Sequence, residues 1–109
     1  MAFSESLAAR TRDALVRIRG ITEKRMFGGV GFLLNGNLLV GVWKDSLCAR
    51  LGPEQAEKAR HEPHAREFDI TGRPMKGWVV VEPEGIDDDG QLQAWIERAM
   101  RFVETLPRK

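Results

Sequence analysis

The sequence predicts an α+β domain of two layers, a five-stranded, mainly antiparallel sheet with helices packed on it, in the order α-β-β-β-α-β-β-α. Near the C-terminus, apolar side chains recur at the helical spacings of three and four. An Asn-Gly pair between two apolar runs predicts a β-hairpin, and further runs alternate apolar with polar residues as strands do. A chain of 109 residues has room for one domain, which we place at residues 1–109.

The first predicted element is a helix that begins after Ser4, a residue suited to cap a helix N-terminus. Gly20 is placed to end this helix. Its buried stripe comprises Leu7, Thr11, Ala14, Leu15 and Ile18. Four arginines lie mostly off the stripe, namely Arg10, Arg12, Arg17 and Arg19. They form either a solvated face or a surface that binds anions.

Asn35-Gly36 predicts a type I′ turn, because such a turn requires positive φ at both central residues. The flanking runs, residues 24–34 and 37–44, form the two strands of the predicted hairpin. With a two-residue loop, Leu33 lies opposite Leu38 and Phe32 lies opposite Leu39. In the same register, Gly31 and Gly41 each lie opposite a valine.

Both faces of this hairpin are apolar, whereas a sheet with one face in water should alternate apolar and polar residues. The second face therefore needs a cover, either from the protein's own helices or from another subunit. One face holds Phe27, Leu33, Leu38, Val40 and Val42, and the other holds Met26, Val30, Phe32, Leu34, Leu39 and Trp43.

The second half of the chain supplies a third strand around residues 46–51 and a short helix over residues 53–61, with a proline at its first position. A fourth strand over residues 67–70 and a fifth over residues 75–82 follow. Three aspartates then cap a long final helix that should pack on one face of the sheet beside the first helix. Its apolar stripe holds Leu92, Trp95, Ile96, Ala99, Phe102, Val103 and Leu106.

Few residues in the sequence are suited to catalysis or to metal binding. The soft metal ligands are Cys48, His61 and His64, and the two histidines lack the spacing of a His-Glu-x-x-His zinc motif. Cys48 lies in a predicted strand, away from any helix N-terminus that would lower its pKa, so we expect an inert thiol. The glycines of residues 28–31 match neither a P-loop nor a dinucleotide fingerprint, and they indicate a close backbone approach or a docking surface. The sequence thus predicts no enzyme, cofactor or metal site.

Charge and composition favour a cytoplasmic protein. Residues 1–50 carry +4, from eight Lys and Arg against four Asp and Glu, and residues 51–109 carry −3, from nine against twelve. This imbalance is weaker than the basic footprint of a stand-alone DNA-binding domain. The single cysteine suits a reducing compartment, the N-terminus does not resemble a signal peptide, and the apolar runs fall below the roughly 18 residues of a membrane span.

Residues 25–32, Arg-Met-Phe-Gly-Gly-Val-Gly-Phe, resemble the opening strand of the TfoX/Sxy N-terminal domain family. The Asn-Gly hairpin, the strand from Met75 to Pro83 and the final Leu-x-x-Trp-Ile-x-x-Ala helix look like the family in the same order, from about Leu7 to Pro107. The resemblance implies an α-β3-α-β2-α fold and a regulator of natural competence that works with the cyclic AMP receptor protein at promoters. Such regulators carry a second, C-terminal helical domain, before which this sequence ends, and the family provides no catalytic residues.

Three hypotheses about function follow. The leading one is a non-enzymatic regulatory module that binds a protein partner, such as a transcription factor, and forms a homodimer. Its predicted partner or dimer interface comprises Met26, Phe27, Gly28, Gly29, Phe32 and Trp43. The second is direct nucleic-acid binding through Arg10, Arg12, Arg17, Arg19, Lys24 and Arg25. The third, a small-ligand carrier or an enzyme that uses the glycine-rich face, has the least support.

Overall fold

The structure is a computed structural model that describes residues 3–26, 28–69, 72 and 75–109. In chain order its elements are α1 (Glu5–Ala14), β1 (Ile21–Met26), β2 (Gly29–Leu34), β3 (Asn37–Trp43), β4 (Ser46–Arg50), α2 (Pro53–Ala59), β5 (Ala65–Glu67), β6 (Trp78–Val81), a 3₁₀ turn (Pro83–Gly85) and α3 (Asp89–Val103). The strands form one antiparallel sheet in the order β1-β2-β3-β4-β6-β5. The predicted α+β class is therefore confirmed, and the sheet has six strands rather than five.

The helices begin at the predicted caps. The Ser4 hydroxyl accepts a hydrogen bond from the Leu7 backbone N–H at 3.1 Å, and Asp88 and Gln91 form a capping box at the start of α3. However, α1 ends at Ala14 and not near Gly20. The four residues after Leu15 include two β-branched ones, which are weak helix formers, and the chain leaves the helix there.

The run over residues 24–34, predicted as one strand, belongs to two antiparallel strands. β1 starts earlier than predicted, at Ile21, and the chain reverses so that Met26 pairs with Gly29. Gly28 has φ +74° in this reversal, a conformation that costs glycine nothing. The glycines that the sequence analysis interpreted as a close approach or a docking surface thus also make a turn, and this turn accounts for the additional strand.

The β2–β3 hairpin contains a bulge that changes the predicted register. Leu33 pairs with Leu38 as predicted, but the next partner of Phe32 is Val40, so Leu39 is an extra residue on β3. The predicted pairing of Phe32 with Leu39 is wrong. Because of the bulge, Leu39 and Val40 both join the core, where neither has exposed surface.

The fourth predicted strand corresponds to β5, which lies nearer the N-terminus than predicted. Residues 65–67 pair with β6, and Phe68 follows the strand instead of belonging to it. Ile70, which the sequence analysis placed in the same strand, lies outside the described residues. β6 is shorter than its predicted range of 75–82, and all four of its residues are buried.

A single large core lies between the sheet and the helices. Its buried residues include side chains from all three helices and from β2, β3, β4 and β6. α3 packs against β3 and β4, with α1 beside it, as predicted. The buried stripe of α3 consists of Leu92, Trp95, Ile96, Ala99 and Val103. The helices thus cover one face of the sheet.

Candidate functional site

The opposite face of the sheet carries no helix, because the buried residues of all three helices join the core on the first face. Directly paired residues of an antiparallel sheet place their side chains on the same face. The register therefore aligns one row of residues across all six strands of the helix-free side, namely Lys24, Gly31, Gly41, Cys48, Val80 and Arg66. We call this side the open face, and it includes that row together with Met26, Gly29, Leu33, Leu38, Trp43, Arg50 and Trp78.

A groove of about 100 Å³ lies in the middle of the open face. Phe68 and Trp78 form one wall, with ring centroids 5.5 Å apart and planes inclined at 51°, and they bury Cys48 and Val80 beneath them. Met75 at the rim is 41% exposed. The full lining is Met26, Gly29, Val30, Gly31, Leu38, Gly41, Val42, Trp43, Cys48, Phe68, Met75 and Trp78. The groove is therefore an apolar depression open to solvent in the isolated chain.

Three glycines form the floor of the groove, and they differ in how much space surrounds them. A Cβ at Gly29 would lie 2.2 Å from the carbonyl oxygen of Val42, which belongs to the backbone of β3. A Cβ at Gly31 would meet a mobile side-chain atom, Leu38 Cδ1, at 2.8 Å, and one at Gly41 would approach a backbone oxygen at 3.3 Å. Only at Gly29 do the two strands lie so close that the backbone leaves no room for a side chain.

Among the described residues that line the groove, Cys48 has the one ionisable side chain. Burial raises the pKa of the Cys48 thiol from 9.0 to about 12, and the charge of Arg66 offsets this only slightly. The thiol therefore stays protonated near neutral pH and is a poor nucleophile. This agrees with the inert thiol expected from the sequence.

The raised pKa of Cys48 should make stability fall at alkaline pH. Above pH 9 the unfolded thiol ionises while the folded one stays protonated until about pH 12, so the loss begins near the unfolded pKa and ends near the folded one. We expect the free energy of unfolding to fall between pH 9 and 10.5 with a slope that approaches about 1.4 kcal/mol per pH unit, relative to Cys48→Ala. Urea unfolding of both proteins from pH 7 to 10.5 measures this.

The Cys48→Ala variant is a clean reference, because the chain has no tyrosine and the lysines titrate in both proteins. The two pH profiles should run parallel below pH 8 and diverge above pH 9. Parallel profiles over the whole range would mean that the Cys48 thiol is solvated in the folded protein.

The structure divides the predicted interface residues among several places. Met26, Gly29 and Trp43 line the groove, and Gly28 lies exposed in the turn beside it. Phe32 does not belong to this surface, because it lies in the core on the opposite face with 1% of its surface exposed. Phe27 lies outside the described residues.

Sequence reasoning missed half of the groove. Its second wall comes from β4, β6 and the segment between β5 and β6, through Cys48, Phe68, Met75 and Trp78. A signal was present, because Cys48 and Trp78 lie in the third and fifth predicted strands. Assigning them to a common face requires the β4–β6 pairing, which no local pattern indicates.

The residues considered for nucleic-acid binding do not form one surface. Arg10 makes an ion pair with Asp89 at 3.0 Å, and Arg12 binds both oxygens of Glu23 at 2.7 Å and lowers the pKa of that carboxyl. Lys24 follows Glu23 in the strand and therefore lies on the open face. The other three, Arg17, Arg19 and Arg25, are exposed. Two of the six side chains are thus already paired with carboxylates.

The described residues also bear on two other possibilities, a metal site and a membrane-spanning helix. Within it, no group of three His, Cys, Asp or Glu side chains is placed to hold a metal ion. Over the same residues, no helix has both the length and the apolar character needed to span a membrane.

The chain can be compared with known proteins and protein families. No curated protein and no solved structure shows significant similarity to this chain. Residues 13–103 match the family described as the TfoX N-terminal domain. This match covers all six strands and the whole of α3, and it bears out the resemblance drawn from residues 25–32. The chain therefore belongs to the TfoX N-terminal domain family.

Proposed function

We propose that this protein is a non-enzymatic regulatory module that works by docking its open face onto another protein chain. One observation carries the proposal: the sheet is apolar on both faces, and the helices cover only one of them. Exposed apolar surface of this kind is typical of interaction sites. Family membership supports a role in competence-related regulation, and the single cysteine favours a cytoplasmic location.

The composition of the groove supports docking over catalysis. Aromatic residues and methionine are favoured at the centres of protein interfaces, and the groove holds Trp43, Phe68, Met75 and Trp78. General acid–base catalysis needs a group that gains or loses a proton near neutral pH. The Cys48 thiol, with a pKa of about 12, does not supply one.

Site-specific photo-cross-linking in the native cell tests the docking surface. A benzophenone amino acid replaces Met75, which lies at the groove rim with 41% of its surface exposed, so that the core is left intact. A matched control carries the same group at Glu97, an exposed residue on α3. We expect a discrete cross-linked protein from position 75 and none from position 97.

Equal cross-linking at the two positions, or none at position 75, would contradict the docking surface. The regulatory role is tested in the same cells by transcript levels. Replacement of Trp43 with aspartate should change transcription as much as deletion of the gene does, and Glu97→Lys should leave it unchanged. A Trp43→Asp strain that behaves as wild type would contradict the proposed role of the open face.

A further inference from the structure

The two ends of the open face carry charge of opposite sign. At the β1 end lies Lys24, at the start of the row that crosses the sheet. In the middle of the sheet, the turn between β3 and β4 carries Lys44, whose ammonium lies 4.6 Å from the centre of the Trp43 ring. Among the described residues, neither lysine makes an ion pair. Lys44 and Asp45 cancel within their turn, and the β1 end has a charge of +1 from Lys24.

At the β5 end the row finishes with Arg66, which lies between two carboxylates. Asp69 is 3.2 Å from its guanidinium and Glu82 is 3.9 Å away. The side chains of Asp69 and Glu82 are 61% and 48% exposed, so they can interact with another molecule. Counted over its described residues, this end therefore has a net charge of −1. Glu67 and Lys76 line a separate depression beside α2 and cancel each other.

Between these ends the row is uncharged and low, and Arg50, the partner of Trp78, does not line the groove, because its guanidinium lies 5.8 Å from the centre of the Phe102 ring. The middle of the row consists of Gly31, Gly41, Cys48 and Val80. With a strand spacing of about 4.8 Å, six strands separate the two charged ends by roughly 24 Å. The open face is thus apolar in the middle, positive at one end and negative at the other. When a second copy, related by a half turn, faces the first, the positive end of each copy lies over the negative end of the other.

We propose that the partner seated on the open face is a second copy of this chain. The two-fold axis lies in the interface, parallel to the strands and between β3 and β4. This axis brings the β1 end of each copy over the β5 end of the other, so Lys24 faces Asp69 of the partner subunit. An axis across the strands would instead oppose like charges. The inference rests on the proposed function, because it names the chain that the docking surface accepts.

The expected dimer is weak. A face about 24 Å wide and five to six residues long, or about 18 Å, covers roughly 430 Å² per copy. Two copies then bury about 900 Å², which is below the roughly 1,200–2,000 Å² of stable complexes. We therefore expect association at micromolar to millimolar concentrations, which sedimentation equilibrium from 5 µM to 1 mM detects.

Charge reversal gives a sharp test, because a two-fold interface contains each contact twice. Lys24→Glu and Asp69→Lys should each raise the dissociation constant about tenfold at 50 mM salt, since each places like charges opposite one another. A mixture of the two variants forms a heterodimer in which both contacts join opposite charges. The mixture should therefore associate as wild type does, and the control Glu97→Lys should have no effect.

A wild-type chain that stays monomeric at 1 mM would overturn the inference, and so would a dimer that neither reversal weakens. Restoration in the mixture identifies the pairing of the two ends, and its failure would contradict the proposed axis. The cross-linking result separates this inference from the proposed function. A product at position 75 that contains only a different protein contradicts self-association and leaves the docking function standing, whereas no product contradicts both.

Discussion

Replacement of Phe32 with alanine should lower the free energy of unfolding by about 3–5 kcal/mol. The Phe32 side chain is 1% exposed and is among the largest fully buried groups in the protein. Its truncation leaves a cavity against the helices that packed neighbours fill only partly. Urea unfolding of the variant and the wild type at the same concentration measures the loss.

The matched variant is Trp43→Ala, which removes a larger side chain from the other face of the same hairpin. Trp43 is half-buried, with the Lys44 ammonium over its ring, and much of its surface is in water before the truncation. We expect a loss below about 2 kcal/mol. Losses of equal size for the two variants would show that Trp43 contributes as much to stability as Phe32 does, which would contradict an exposed open face.

The sequence could not separate these two aromatic residues, because separation depends on a bulge. Strict alternation from the Asn-Gly turn places Phe32 and Trp43 on one face. The extra residue Leu39 shifts β3 by one position and moves Trp43 to the other face from Phe32. The run Leu38-Leu39-Val40 is apolar at every position, so its pattern contains no signal for where a bulge falls.

Elements with strong local determinants were predictable. α3 has an apolar stripe and a capping box, both encoded within a few residues, and it begins where expected. The Asn35-Gly36 turn has φ of +53° and +86°, as a type I′ turn requires. The fold class follows from these elements and from the order of the strands, which depends little on register.

Elements that depend on distant partners were not predictable. β5 has three residues and is held by its pairing with β6, so nothing local distinguishes it from the neighbouring Phe68. The β1 strand is largely exposed, and its charged residues look like a loop until β2 pairs with them. The groove has the same limitation, because its two walls come from strands that are distant in the sequence.

Replacement of Gly29 with alanine should be among the most damaging single changes on the open face. The new Cβ would lie 2.2 Å from the Val42 carbonyl oxygen, a distance that no rotamer can relieve, because both atoms belong to the backbone framework. β2 and β3 must then move apart, and we expect a loss of about 3 kcal/mol or more. Thermal unfolding and the yield of folded protein measure this effect.

The other two floor glycines provide graded controls for this prediction. In Gly31→Ala the contact is with the flexible Leu38 side chain, and in Gly41→Ala the nearest backbone oxygen lies at 3.3 Å. We expect losses of about 1–2 kcal/mol and below about 1 kcal/mol, in that order. An equal loss at all three positions would mean that strand propensity, and not the closeness of β3, decides their effect. If the order holds, the fold depends less on Gly41 than on the other two glycines. Since Gly41 also lines the groove, Gly41→Ala should weaken docking while the protein stays folded.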